Sequence, residues 1–267
     1  MLLKLNVHHV RLQDLAVDAE AVAAFEQRWR AHLQGMAAYV DDRHNLLDAD
    51  TVQPLSPLVP TDVYLSHATG DPTQVLQLAV ALEATGLRVC VGASLWRQAE
   101  ALLQTMQRPR GADAAFLDTP YAEQGRLVRA SASVWAIVAA VQQRLIDACE
   151  LFIHLEQPPV RLGEAVRDSR CGGSTWALSE RLFARHAARR GRPRLRLEAL
   201  RPPAAEGTAP LLAAQEAHAI PWDGLLRAIA DTTGLPAAPG WRDYPVFLDH
   251  LYGKLPLSAQ EKTLLGW

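Results

Sequence analysis

The feature that most constrains this chain is a strand–helix–strand pattern between residues 62 and 91. Asp62–His67 contains the apolar residues Val63 and Leu65 and ends in Ser-His, and it predicts a short buried strand. The next segment has apolar residues at helical spacing, and Gly86 closes it as a C-cap glycine does. Leu87–Val91 then predicts a second strand. Because strands that alternate with helices form parallel sheets, we predict an α/β domain whose ligands bind at the carboxyl ends of its strands.

Small polar residues follow the first of these strands, just before the next helix begins. The candidates for substrate binding are Ser66, His67, Thr69 and Gly70. Backbone N–H groups near a helix N-terminus suit a pyrophosphate. The alternative is that Asp71 is only an N-cap, with Pro72 at the first helical position. Capping and ligand contact are compatible, so the binding prediction is kept, whereas a general-base role for His67 is not favoured.

Composition argues against several classes of protein. The 267 residues include 27 Lys+Arg and 29 Asp+Glu, so neither nucleic acid nor a membrane surface is predicted as a partner. The arginines clustered within residues 181–196 are interpreted as a solvated helix face. Cys90, Cys149 and Cys171 lack metal-ligand spacing, so we expect reduced thiols and no metal site. The sequence has neither a signal-peptide core nor a membrane-spanning apolar run, and we expect a cytoplasmic protein.

Three parts are predicted along the chain. Residues 1–60 begin with an extended segment, continue as a helix and end in a proline-rich stretch, so they are interpreted as an N-terminal helical extension. Residues 61–207 contain the alternating pattern, including a further buried strand at Glu150–Leu155. The run from Pro202 to Gly207 is typical of a linker. Residues 208–267 are predicted to form a C-terminal helical region.

A second motif lies in the helix predicted after the third strand of this pattern. Trp176 and Glu180 are four residues apart, so both side chains lie on one face of that helix. An indole there can stack on a flat base, and a carboxylate can stabilise positive charge on a sugar. The structural alternative is a core tryptophan beside a surface glutamate. The residues alone favour this structural alternative, whereas their resemblance to a known family favours a functional role for Trp176 and Glu180.

These segments together resemble Toll/interleukin-1 receptor (TIR) domains. Thr61–His67 is similar to the family's opening box, an aspartate-led aromatic strand that ends in Ser-Tyr or Ser-His. Gly86–Cys90 and then Gly92–Trp96 are similar to the second strand and the BB loop. Ser174–Glu180 is similar to the Ser-x-x-Trp-x-x-x-Glu motif, with the serine one residue closer to the tryptophan. The resemblance covers residues 61–200 and implies a flavodoxin-like parallel sheet. The BB region lacks the receptor pattern, which points to divergent bacterial members.

The resemblance implies an enzyme. In catalytic TIR domains the glutamate of this motif is essential, which assigns the catalytic role to Glu180. The implied substrate is NAD⁺, with no cofactor and no metal. The implied reaction cleaves the nicotinamide–ribose bond and gives nicotinamide with ADP-ribose, or with a cyclic or conjugated ADP-ribose signal. One carboxylate suffices because it stabilises an oxocarbenium-like state, while nicotinamide is a good leaving group. Trp176 would form a wall of the pocket. Trp96 would close over the base as the BB-loop aromatic does, or pack in the core.

Partners follow from the same resemblance. Many bacterial relatives act in antiphage defence and become active when assembled. Self-association through TIR domains is therefore expected, together with a downstream effector protein that senses the product. Two alternatives stay open. One is a non-catalytic TIR adaptor that assembles through the BB loop and the αC surfaces. The other is a related nucleoside-processing fold that performs deoxyribosyl transfer.

Overall fold

The structure is a computed structural model of the whole chain, and only part of it is described. The described residues are 1–34, 60–67, 72–107, 120–156, 172–187, 189, 217–235 and 246–267. The strands in these ranges are β1 (Leu3–His8), β2 (Val63–His67), β3 (Val89–Val91), β4 (Leu151–Leu155) and β5 (His218–Pro221). The α-helices are α1 (Ala19–Gln34), α2 (Pro72–Glu83), α3 (Gly92–Gln107), α4 (Pro120–Ala148), α5 (Gly172–His186), α6 (Trp222–Thr232), α7 (Val246–Tyr252) and α8 (Ala259–Leu265).

The strands form one parallel sheet in the order β3-β2-β4-β1-β5, and helices flank it. This confirms the predicted α/β class with a parallel sheet. The order is consistent with a flavodoxin-like fold, whose strands run 2-1-3-4-5. If β2 is counted as the first strand, then β3, β2 and β4 take positions 2-1-3. The N-terminal strand β1 takes the fourth position.

The predicted strand–helix–strand unit is confirmed in β2, α2 and β3. Val75, Leu78 and Leu82 of α2 are fully buried, as their helical spacing predicts. Gly86 has a φ of +89° in the turn that follows α2, a conformation that favours glycine. The strand predicted at Glu150–Leu155 is also confirmed, as β4.

The description of residues 1–60 as a helical extension needs correction. Leu3–His8 lies in the interior of the sheet, where it pairs with β4 on one side and β5 on the other. Leu3, Leu5 and Val7 are fully buried, because hydrogen-bonded neighbours and helices surround the strand. The C-terminal region likewise contributes a strand, β5, besides the helices predicted for it. Both flanking parts of the chain therefore complete the same sheet.

The prediction of a BB loop after the second strand is wrong. β3 ends at Val91 and α3 begins at the next residue, Gly92, so the predicted loop Gly92–Trp96 is the start of a helix. Trp96 is only 6% exposed and belongs to the core. It is therefore not an aromatic residue on a loop that closes over a base.

Two further predictions concern thiols and membranes. Cys90 and Cys149 are buried free thiols, and burial raises the pKa of Cys149 to about 12. Cys171 lies outside the described residues, as does the predicted linker at 202–207. Among the helices of the described ranges, none combines the length and the apolar character needed to cross a membrane.

Truncating a side chain of β1 tests whether the N-terminal strand belongs to the core. We expect Leu5→Ala to lower the free energy of unfolding by about 2 to 5 kcal/mol, because a fully buried leucine leaves a cavity in the sheet. The measurement is urea unfolding. The control is Val128→Ala on α4, where Val128 is 63% exposed and a change within about 0.5 kcal/mol is expected. Equal small losses in both variants would contradict the interior position of β1.

Candidate functional site

The candidate site lies at the carboxyl ends of β2 and β4. These strands are neighbours at the point where the order of the sheet reverses, since the chain passes from β2 outward to β3 and then returns to β4. Open parallel sheets bind ligands at such switch points. Ser66 and His154 are register partners there. Both are buried, on strands whose other buried residues are mostly apolar.

Glu180 of α5 reaches these strand ends and is 2% exposed. The hydroxyl of Tyr64 donates a hydrogen bond to Glu180 Oε1 at 2.9 Å, and the indole Nε1–H of Trp96 donates to the same oxygen at 3.1 Å. Ser66 also hydrogen-bonds the carboxylate. Tyr64 and Ser66 share one face of β2 because strand side chains alternate. The carboxylate is therefore held by donors from one strand and one helix.

The charge of Glu180 is balanced between two opposing effects. Burial raises the pKa of its carboxyl from 4.5 to about 7, because desolvation disfavours the ionised form. Hydrogen bonds from Ser66, Trp96 and Tyr64 act in the opposite direction and keep the pKa from rising further. The group therefore titrates near neutral pH, which is typical of residues at functional sites.

His154 extends this hydrogen-bond chain away from the carboxylate. Its Nδ1 lies 3.3 Å from the Ser66 hydroxyl oxygen. Burial, the charge of Arg181 and His67 lower the pKa of His154 to about 4, so the imidazole is neutral at neutral pH. When the Ser66 hydroxyl donates to Glu180, its oxygen accepts from the Nδ1–H of His154. This direction requires the His154 tautomer that carries its proton on Nδ1.

Three indoles pack beside Glu180. The ring centroids of Trp96 and Trp176 are 4.0 Å apart and stacked, and those of Trp135 and Trp176 are 4.6 Å apart. Trp176 and Trp135 are partly exposed, whereas Trp96 is buried. The four-residue spacing of Trp176 and Glu180 on α5 thus brings an aromatic surface next to the carboxylate.

Gly92 allows α3 to approach the carboxylate. A Cβ atom at this position would lie 2.1 Å from Glu180 Oε1 and 2.7 Å from the Tyr64 hydroxyl. Such distances are far below van der Waals contact, so an alanine would displace one of these groups. Gly92 is also the first residue of α3, so the carboxylate lies at a helix N-terminus, where negative charge is favoured.

The structure brings together four of the residues predicted from the sequence: Ser66, Trp96, Trp176 and Glu180. His67 lies at the end of β2, and its buried Nδ1 has no hydrogen-bond partner in the part of the chain that the structure describes. Burial and the charge of Arg97 lower the pKa of His67 to about 4. The other two predicted binding residues, Thr69 and Gly70, lie outside the described residues.

Sequence reasoning missed several members of the site, namely Tyr64, Gly92, Trp135 and His154. The alternation of strand side chains contains a signal for two of them. Tyr64 is two residues before Ser66, so both lie on the face that α5 covers. His154 occupies the equivalent place on β4, as the partner of Ser66. Gly92 and Trp135 carry no comparable signal, because their contacts come from helix packing.

Neither a metal cluster in the described residues nor a similar known protein identifies the ligand of this site. Within the described ranges, no group of three or more His, Cys, Asp or Glu side chains is arranged to hold a metal ion. A scan of protein-family models, a search of curated proteins and a search of solved structures found no significant match to the chain.

The raised pKa of Glu180 predicts how stability depends on pH. The folded state keeps a proton that the unfolded state releases above pH 4.5, so this contribution is complete below that pH and is lost as the pH rises through about 7. The pKa difference between the unfolded and folded states corresponds to about 3 kcal/mol of unfolding free energy. Relative to Glu180→Gln, the wild type should lose up to that amount of unfolding free energy between pH 4.5 and 8. A difference between the two proteins that does not change with pH would contradict the assignment.

The close approach at Gly92 predicts an unfavourable alanine. We expect Gly92→Ala to lower the free energy of unfolding by about 1 to 3 kcal/mol, because overpacking exceeds the gain in helix propensity. The loss should be smaller when Glu180 is already alanine, which a double-mutant cycle measures by urea unfolding. The control is Gly253→Ala, whose Cβ would lie 3.4 Å from the nearest atom and should change stability little. Equal losses from Gly92→Ala in both backgrounds would argue against the contact with Glu180.

Proposed function

We propose that this chain is a TIR-like NAD⁺ nucleosidase in which Glu180 is the catalytic carboxylate. The observation that supports the proposal is the position of Glu180. It is a carboxylate that titrates near neutral pH, and it lies at the carboxyl ends of β2 and β4 beside partly exposed indoles. An aromatic surface suits the flat nicotinamide or adenine ring, and a single carboxylate suits a ribosyl cation.

The proposed reaction breaks the bond between ribose C1′ and the nicotinamide nitrogen. The bonding electron pair leaves with nicotinamide, which becomes neutral and needs no proton from an acid. Positive charge then develops on the ribose C1′ and ring oxygen, where the ionised Glu180 stabilises it. Water adds to C1′ and loses a proton, giving ADP-ribose. An internal nucleophile of the substrate, or a second acceptor, would give a cyclic or conjugated product instead.

Substrate access requires a local change, because Glu180 is 2% exposed. A ribose can contact the carboxylate only if its hydroxyls replace one of the donors Tyr64, Ser66 and Trp96. The indole of Trp96 is the donor that also stacks on the partly exposed Trp176. We therefore expect Trp96 to be the donor that moves when substrate binds.

A non-catalytic TIR-like adaptor is the second candidate, and the same burial favours it. A carboxylate with three donors is also what a purely structural polar cluster requires. On α5, Leu178 and Leu182 are 53% and 49% exposed and are four residues apart, so the helix presents an apolar surface suited to self-association. This surface, rather than the rejected BB loop, would serve assembly. A downstream effector that senses the product is proposed only if the chain is an enzyme, and the proposed role in antiphage defence likewise goes with the enzyme.

Nicotinamide release from NAD⁺ tests the enzyme proposal. The purified full chain is incubated with NAD⁺, alone and with extract from phage-infected cells, and nicotinamide is quantified by chromatography. We expect Glu180→Gln and Glu180→Ala to reduce release by about 100-fold or more, because each removes the charge that stabilises the transition state. The wild-type rate should rise as the pH passes about 7, where Glu180 ionises.

Matched variants separate the two candidate functions. Glu100 is an exposed glutamate on α3, and Glu100→Gln should leave nicotinamide release unchanged. Glu180→Gln preserves the shape of the side chain, so its melting temperature shows whether any loss of activity is a loss of fold. Unchanged release in folded Glu180→Gln would exclude Glu180 as the catalytic group. Absence of release under every condition would instead favour the adaptor, for which Leu178→Asp should abolish self-association in sedimentation experiments.

A further inference from the structure

The first turn of α3 is a second polar feature at the carboxyl edge of the sheet. This helix has 16 residues and begins immediately after β3, beside the end of β2. The first backbone N–H groups of a helix have no partner inside it, and the helix dipole adds partial positive charge. These groups therefore favour an anion at this edge of the sheet.

Ser94, the third residue of α3, is an independent indication of a ligand. It is 6% exposed, and its hydroxyl oxygen is buried with no hydrogen-bond partner within the described ranges. Ser94 lies in the first turn of α3, and the Cα–Cβ bonds of helical residues tilt toward the helix N-terminus. An unpaired buried hydroxyl destabilises a protein unless something binds it. Ser94 therefore requires an explanation beyond packing.

His67 supplies a second unpaired group nearby. Leu65 of β2 pairs in register with Val91 of β3, so His67 and the start of α3 emerge from adjacent strand ends. The Nδ1 atom of His67 is buried, and it has no hydrogen-bond partner among the described residues. Arg97 follows Ser94 by one helical turn, and its positive charge helps to lower the pKa of His67. Glu26 accepts a hydrogen bond from Arg97 at 3.0 Å and offsets part of its charge.

We propose that the Ser94 hydroxyl, the His67 ring and the first-turn amides of α3 bind a phosphate group of the substrate. This inference rests on the proposed function, because it assigns the site to the phosphate that follows the nicotinamide ribose of NAD⁺. It extends the substrate-binding role predicted for His67 by adding Ser94 and the first turn of α3. The ligand is recognised by its phosphate, with hydrogen bonds from uncharged donors and the field of the helix.

The geometry of α3 relates this phosphate site to Glu180. Gly92 lies against the Glu180 carboxylate, and Ser94 is two residues later. Two residues correspond to about 3 Å along a helix and about 200° around it. The carboxylate and the phosphate site thus lie on opposite sides of one helix end. With the ribose near Glu180 and its phosphate near Ser94, the bond between them would pass the N-terminal end of α3. The helix then lies between the negative charges of the carboxylate and the phosphate.

Binding measurements test the site without requiring catalysis. Calorimetric titration with ADP-ribose should show affinity about tenfold or more weaker in Ser94→Ala, because a hydrogen bond to a charged group is lost. Without ligand, the melting temperature of Ser94→Ala should equal or exceed that of the wild type, since an unpaired hydroxyl has been removed. Inorganic phosphate alone should shift the amide signals of residues 92–95 in nuclear magnetic resonance spectra of the wild type.

Control variants and ligands make the outcome decisive. Ser133→Ala removes another buried helical serine, on α4, and should leave ADP-ribose affinity unchanged. His67→Phe keeps a flat ring without nitrogens and should weaken ADP-ribose binding as Ser94→Ala does. Adenosine, which has no phosphate, should bind equally to wild type and Ser94→Ala.

Three results would overturn the phosphate site. They are unchanged ADP-ribose affinity in both Ser94→Ala and His67→Phe, an equal loss of adenosine affinity in Ser94→Ala, and the absence of binding of both ADP-ribose and phosphate to the wild type. Failure of the nucleosidase proposal would look different. A protein that binds phosphate through Ser94 but releases no nicotinamide retains this site and loses only the proposed reaction.

Discussion

The buried carboxylate of Glu180 is the group on which the arrangement of this edge of the sheet depends. A carboxylate removed from water is costly unless donors surround it. Tyr64 and Ser66 of β2 and Trp96 of α3 donate hydrogen bonds to it. Alternation along β2 directs both of its donors to one face, and the start of α3 at Gly92 lets the backbone come close. Because the donors converge on one group, β2, α3 and α5 are fixed relative to one another.

The balance at this carboxylate also determines what it can do chemically. Its pKa near 7 results from burial opposed by hydrogen bonds, so neither the ionised nor the neutral form is strongly excluded at neutral pH. Positive charge brought close to the oxygens lowers such a pKa and favours the ionised form. A ligand that develops positive charge would therefore favour the ionised form of Glu180, and the negative carboxylate in turn stabilises the ligand. A neutral ligand would leave the group largely as it is in the free protein.

The sequence predicted the parts of the fold and site that depend on local periodicity. The unit β2–α2–β3 follows from helical and strand spacing, and the pairing of Trp176 with Glu180 follows from one helical turn. The place of β1 between β4 and β5 could not be predicted, because a six-residue apolar strand does not indicate its partners, which lie far away in sequence. Gly92 suggested a loop, whereas it serves the close approach of Glu180 in a helix. Periodicity cannot distinguish these two uses of glycine.

The topology explains why the polar groups can be held in place without a metal ligand set or a disulfide in the described part of the chain. β2 lies between β3 and β4, and β4 lies between β2 and β1, so both strands that carry site residues are interior. Asn6 of β1 is the register partner of His154, which in turn contacts Ser66. The N-terminal strand is thus the hydrogen-bonded neighbour of the strand that carries His154. Interior strands move little, so Tyr64 and Ser66 of β2 are rigid donors to a carboxylate whose charge can change, a combination suited to stabilising transient positive charge.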